Sequence, residues 1–141
     1  VISVGGGRLQ LLDAGVIRAP RTSPLESRLL ELHEGIASVL AAFRPLRMGL
    51  EEIYSHYAHP ATAIIMAHAR GVLCLAAAES GVAVTALPAT LIKRLVTGNG
   101  RAGKQQVGGM VAHLLGLKNI PGPADVSDAL AAAIAVAESE K

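Results

Sequence analysis

The sequence predicts a layered α/β domain. Short apolar runs of strand length alternate with longer segments whose hydrophobic residues recur at helical spacing. The 141 residues suit one compact domain, and 51% of them are hydrophobic, enough for a buried core. Aromatics make up only 2% and Trp is absent, so Ala, Leu, Val and Ile must build that core with backbones packed close together. Residues 1–141 read as a single domain, without an internal repeat or a linker.

Val1 to Val4 is a short apolar run, Gly5-Gly6-Gly7 a turn, and Arg8 to Ile17 a second strand, so the chain opens with a hairpin. Ser23-Pro24-Leu25-Glu26 reads as a helix start, with Ser as N-cap, Pro at N1 and Glu at N3. Leu25, Leu29, Leu32, Ile36, Val39 and Phe43 then mark one helix face, which Pro45 ends. Arg47 to Tyr54 reads as a strand with Glu51 and Glu52 near its C-terminal end. Pro60 opens an Ala-rich helix running to about Glu79, and Val82 to Leu87 is a strand stopped by Pro88. A short helix over Ala89–Val96 leads into the Gly-rich loop Thr97–Gly103, and another helix covers Lys104–Leu115. Pro121-Gly122-Pro123 is a rigid connector into a last helix from Ala124 to about Glu138. An opening hairpin needs a further strand between it and the later strands.

Composition excludes several classes. One cysteine, Cys74, permits neither a disulfide framework nor a Cys-based zinc site, and fits a reducing, cytoplasmic location. No apolar run of about 18 residues escapes a charge or a helix breaker, so no membrane span is expected. Residues Val1–Gly7 lack the basic start of a signal peptide.

Net charge is +2, and its distribution says more than its size. Seven Arg balance seven acids up to Glu79. Between Ser80 and Ala124 stand Lys93, Arg94, Arg101, Lys104 and Lys118 without one acid, and Asp125 and Asp128 follow. A basic block followed by a compact acidic pair suits a polyanion and a metal ion; a solvated basic face is the simpler alternative.

Asp125 and Asp128 share one face of the last helix at i and i+3, in what reads as its first turn. Capping and dipole compensation would explain them, but Ala129, Ala131, Ala132 and Ala133 leave room for a hard cation and a phosphate. Glu51 ends a buried-looking strand, where ligands bind in open α/β sheets, while Glu52 points to the other face. Lys93, Arg94, Arg101 and Lys104 surround the Gly-rich loop, a composition suited to phosphate contact. Gly98 to Lys104 approaches P-loop spacing, but Gln105 stands where Mg²⁺ coordination calls for Ser or Thr, and a helix leads in. His56 and His59 have no third ligand at motif spacing, and Cys74 reads as a small buried hydrophobe.

Taken in order, Met48-Gly49-Leu50-Glu51-Glu52-Ile53-Tyr54, then Ile92-Lys93-Arg94 through Gly103-Lys104-Gln105-Gln106-Val107, then Ala124-Asp125-Val126-Ser127-Asp128-Ala129-Leu130-Ala131 resemble the RuvC family of Holliday-junction resolvases. Ala69-Arg70-Gly71-Val72 is similar to a further family stretch. The resemblance implies a ribonuclease-H-like three-layer α/β/α fold with a mixed sheet, a homodimer, and two Mg²⁺ ions per site, with Mn²⁺ as a substitute. It implies that Glu51, Asp125 and Asp128 are metal ligands and catalytic, and that Tyr54 stacks on a junction base. Lys93, Lys104, Arg94 and Arg101 are the expected DNA contacts. Expected partners are four-way junction DNA and the branch-migration helicase subunits RuvA and RuvB; no membrane is involved. The family begins with a central strand ending in Asp-Pro-Gly, and Val1-Ile2-Ser3-Val4 corresponds to the strand after it. The chain is therefore expected to be N-terminally incomplete, with one ligand Asp missing. The alternative function is a catalytically silent junction-binding module of the same fold.

Overall fold

Hydrophobic periodicity is realised as alternating strands and helices in the computed structural model, which describes residues 1–53 and 60–139. The elements, in order, are β1 (Ile2–Gly5), β2 (Arg8–Leu11), α1 (Leu25–Phe43), β3 (Arg47–Glu51), α2 (Pro60–Glu79), β4 (Ala83–Leu87), α3 (Ala89–Thr97), α4 (Lys104–Leu114) and α5 (Ala124–Ser139). β1 and β2 form an antiparallel hairpin with Ile2 opposite Leu11 and Gly5 opposite Arg8. Gly6 and Gly7 make its turn at φ 56° and 75°, a conformation glycine enters without a Cβ penalty. β3 pairs with β4, and the two pairs are separate sheets among the described residues.

The chain divides into two compact units. The first comprises residues 1–16, 49–52 and 85–141. Its core is the buried face of α5 with the inner faces of α3 and α4: Val126, Leu130 and Ile134 repeat every four residues along α5 and meet Ile92, Val96, Val107 and Val111. Ile2, Leu9 and Leu11 of the hairpin pack on the same core. Each such buried aliphatic side chain contributes about 1.5–3 kcal/mol. Gly49 of β3 belongs to this unit and touches α5 directly. A Cβ built there would lie 2.8 Å from Ala132 O and 2.8 Å from Val136 Cγ2, so strand and helix backbones are nearly in contact.

The second unit comprises residues 17–48 and 53–84. α1 packs on α2 around Leu40, Ala76, Ala77 and Val82, with Ile36 and Met48 beside them. His33 Nε2 lies 2.7 Å from Glu79 Oε2, tying the two helices near one end. The remainder of α2 is apolar and open: Ile64, Ile65, Met66 and Leu75 are all exposed. By length and composition alone α2 is apolar enough to cross a membrane, with a mean hydropathy of 1.6, although Arg70 interrupts its apolar run, as the sequence reading noted for every such run.

The structure corrects several boundaries. β2 stops at Leu11, not Ile17, because Leu12 and Asp13 both turn their N–H groups to Val1 O and close the ladder. Ile17 packs over α1 instead; a Cβ at Gly35 would lie 2.6 Å from Ile17 Cγ2. Ser23 is not the N-cap of α1. Pro24 holds that position at ψ 152° with no side-chain cap, and Arg28 N–H makes the first helical bond to Pro24 O. α1 ends at Phe43, as expected ahead of Pro45, and its C-cap Arg44 is a non-glycine residue at φ 45° whose N–H donates to Leu40 O. β3 ends at Glu51, and Tyr54, where the strand was expected to end, lies outside the described residues.

Candidate active site

Four elements of the first unit converge on one cleft of about 240 Å³. β3 delivers Glu51 at its C-terminal end, and Glu52 N–H donates to Leu87 O at 3.0 Å, carrying the β3–β4 pairing just past the acid. Pro88 stops β4 and serves as N-cap of α3, whose 89/92/93 face turns Ala89, Ile92 and Lys93 to the cleft. α4 contributes Lys104 and Val107, three apart on one face, and α5 contributes Asp128 and Ala131 in the same spacing. The walls are therefore apolar (Ala89, Ile92, Val107, Ala131), and two carboxylates and two ammonium groups complete the lining.

Small residues permit this convergence. Gly49 lets α5 lie against β3, and a Cβ at Gly108 would lie 3.4 Å from Ser127 Oγ, so α4 and α5 also approach closely. Gly122, at φ 84°, turns the chain into α5, and Val126 N–H bonds Pro123 O at 3.0 Å. The alanines of α5 divide their work. Ala131 lines the cleft, whereas Ala132 and its carbonyl meet Gly49. The sequence reading assigned both to ligand access.

Glu51, Lys93, Lys104 and Asp128 thus come together. Asp125 does not line the cleft, and it alone of the two aspartates is in the first turn of α5; Asp128 lies beyond that turn, outside the reach of the capping explanation. Arg94, in the last turn of α3, and Arg101, in the following loop, are exposed and are not in the cleft wall. Tyr54, His56 and His59 lie outside the described residues. Sequence reasoning missed the apolar walls and Gly49; a glycine inside a strand pattern was the available signal for the latter.

The family model described as crossover junction endodeoxyribonuclease RuvC matches residues 1–136. The chain belongs to the RuvC family. RuvC from Rhodopirellula baltica is 50% identical over 131 residues, covering 93% of this chain and 74% of that protein. RuvC from Heliobacterium modesticaldum is 41% identical over 139 residues, covering 99% of this chain and 85% of that protein. Among solved structures, Thermus thermophilus RuvC in complex with Holliday junction substrate superposes with a TM-score of 0.89 at 32% identity, covering 99% of this chain and 84% of that one. The fold is therefore the ribonuclease-H-like α/β fold expected from the motifs, and the family is one of DNA-cleaving, metal-dependent nucleases.

The donor set bears on the metal. Among the described residues no cluster of three His, Cys, Asp or Glu side chains is assembled to hold an ion. Two carboxylates line the cleft, however, and Mg²⁺ is commonly held by one or two carboxylates together with waters and substrate phosphate. Glu51 and Asp128 fit an ion of that kind, completed by its substrate.

Proposed function

We propose that this protein cuts four-way DNA junctions in recombination and repair, by hydrolysis of phosphodiesters in the cleft of Glu51, Lys93, Lys104 and Asp128. The observation that carries the reading is the meeting of those two carboxylates and two lysines in one cleft of a RuvC-family chain. Glu51 and Asp128 would hold Mg²⁺, with Asp125, three residues earlier on α5, as a third acid; two ions per site are proposed, and Mn²⁺ as a substitute. Bound divalent ions supply Lewis-acid stabilisation and a nucleophilic water near neutral pH. The lysines set the phosphate in place and offset the charge that grows on its oxygens during attack. Arg94, Arg101 and Tyr54 are proposed contacts to DNA away from the reacting phosphate.

Two strands must be cut to resolve a junction, and a two-fold dimer presents two equivalent sites. The exposed Ile64, Ile65, Met66 and Leu75 of α2 are proposed as the apolar core of that dimer. Light scattering at micromolar concentration is expected to show a dimer, and Ile64→Asp combined with Leu75→Asp a monomer; a monomeric unmutated protein contradicts the assignment. The helicase subunits RuvA and RuvB are proposed partners, and the cytoplasm the proposed location.

The test of function is cleavage, by the full-length protein, of a synthetic four-way junction beside a linear duplex with the same arm sequences. Cuts confined to the junction centre are expected. Equal cutting of the duplex contradicts junction selectivity, and selective binding without cutting supports the silent junction-binding module instead. Lys93→Ala and Lys104→Ala are each expected to weaken binding alike on all junction sequences, and to flatten the logarithmic salt dependence of affinity by about one charge. An unchanged slope would show that the lysine does not meet the DNA backbone.

A further inference from the structure

The segment from Lys93 to Lys104 is tied together by side chains that are not part of the cleft wall. The Thr97 hydroxyl donates to Lys93 O at 2.8 Å, and Thr97 Oγ1 accepts the Asn99 N–H at 3.1 Å. Asn99 Oδ1 accepts the Arg101 N–H at 2.9 Å. Gly100 lies against the first turn of α3, where a Cβ would be 3.1 Å from Thr90 O. At the far end Gly103, the N-cap of α4, has no side chain to offer, and its N–H donates to Gln106 Oε1 at 2.9 Å. A glutamine at N3 reaching back in this way fixes the first turn of a helix.

That turn carries Lys104 as its first residue and no acid. A cation at a helix N-terminus is opposed by the macrodipole, so Lys104 stands where local electrostatics disfavours it. Gln106 itself is exposed, and its replacement opens no core. We infer that Gln106 is a positioning residue for Lys104: by holding the N-cap N–H it sets the direction in which Lys104 leaves α4, toward the cleft it shares with Lys93, Glu51 and Asp128. Thr97 and Asn99 hold the other end of the loop. The inference rests on the proposed nuclease function.

The experiment compares Gln106→Ala and Gln106→Glu, each alone and combined with Lys104→Ala, in single-turnover junction cleavage across junction concentrations. Gln106→Ala is expected to lower the maximal rate about ten-fold with little change in half-saturation, because a displaced group loses more in rate than in binding. Gln106→Glu keeps the acceptor and restores the rate. In the Lys104→Ala background Gln106→Ala adds nothing, since the two act as one unit. The same rate factor in both backgrounds, or no effect in either, overturns the inference. A second readout does not depend on cutting. The Lys104 Cε NMR signal is expected to move toward that of a free lysine in Gln106→Ala and to return in Gln106→Glu; an unmoved signal also overturns it. Unmutated full-length protein that fails to cut contradicts the nuclease reading separately.

Discussion

Asp128→Asn and Glu51→Gln are each expected to reduce junction cleavage on the order of 10³-fold or more while leaving the fold and junction binding in place. The substitutions are nearly isosteric and remove one negative charge from a site that must hold a hard cation on anionic oxygens. Both residues are exposed to the cleft, so neither exchange opens the core. Asp125→Asn separates two roles on α5. Asp125 lies in the first turn of α5, and the dipole interaction lost with its charge is about 0.3–1 kcal/mol. Asp125→Asn is therefore expected to melt close to the unmutated protein while its cleavage falls. Near-normal cleavage by any of the three would remove that residue from the ligand set. Thermal melting beside a binding assay verifies that only chemistry has been lost.

Gly49→Val is expected to damage both stability and cleavage. The added Cβ would meet Ala132 O and Val136 Cγ2 at 2.8 Å each. A side chain can turn away, but the carbonyl belongs to the backbone of α5 and moves only with the helix. Such overpacking costs about 1–3 kcal/mol, a drop of roughly 3–10 °C in Tm at this chain length. Moving α5 off β3 also separates Asp128 from Glu51, and a displacement of about 1 Å is enough for a 10²-fold loss of rate. Val136→Ala is not expected to rescue it, since the carbonyl contact remains. Melting and cleavage equal to the unmutated protein's would show that β3 and α5 are not locked together at this glycine.

Much of this site is legible from local pattern. The span of α2 from Pro60 to Glu79 is the expected one, because a proline opens it and its run of helix-forming residues is continuous. Glu51, Lys93, Lys104 and Asp128 are recognisable as motif residues, and the fold brings them together. Distances between distant segments are harder to read. Ile17 looks like strand in an apolar run, yet it seats on Gly35 of α1, eighteen positions away. Asp125 and Asp128 look equivalent at helical spacing, whereas α5 begins where only Asp125 occupies the first turn and only Asp128 lines the cleft. Gly49 gives a weak signal in sequence because the helix it admits lies some eighty residues further on. The reach of Gln106 back to Gly103 lies within one helical turn, but nothing in its residue type distinguishes it from Gln105 until the helix start is fixed at Lys104.

The most direct test of the central claim is a divalent-ion titration of junction cleavage by the unmutated full-length protein and by its Asp128→Asn variant under single-turnover conditions. The account predicts no cleavage in excess chelator, a rate that rises and saturates with Mg²⁺ for the unmutated protein, and essentially none for Asp128→Asn at any Mg²⁺ concentration despite normal junction binding. Cleavage that persists in chelator, or an Asp128→Asn protein that titrates like the unmutated one, would contradict the assignment of this cleft as the metal-dependent nuclease site.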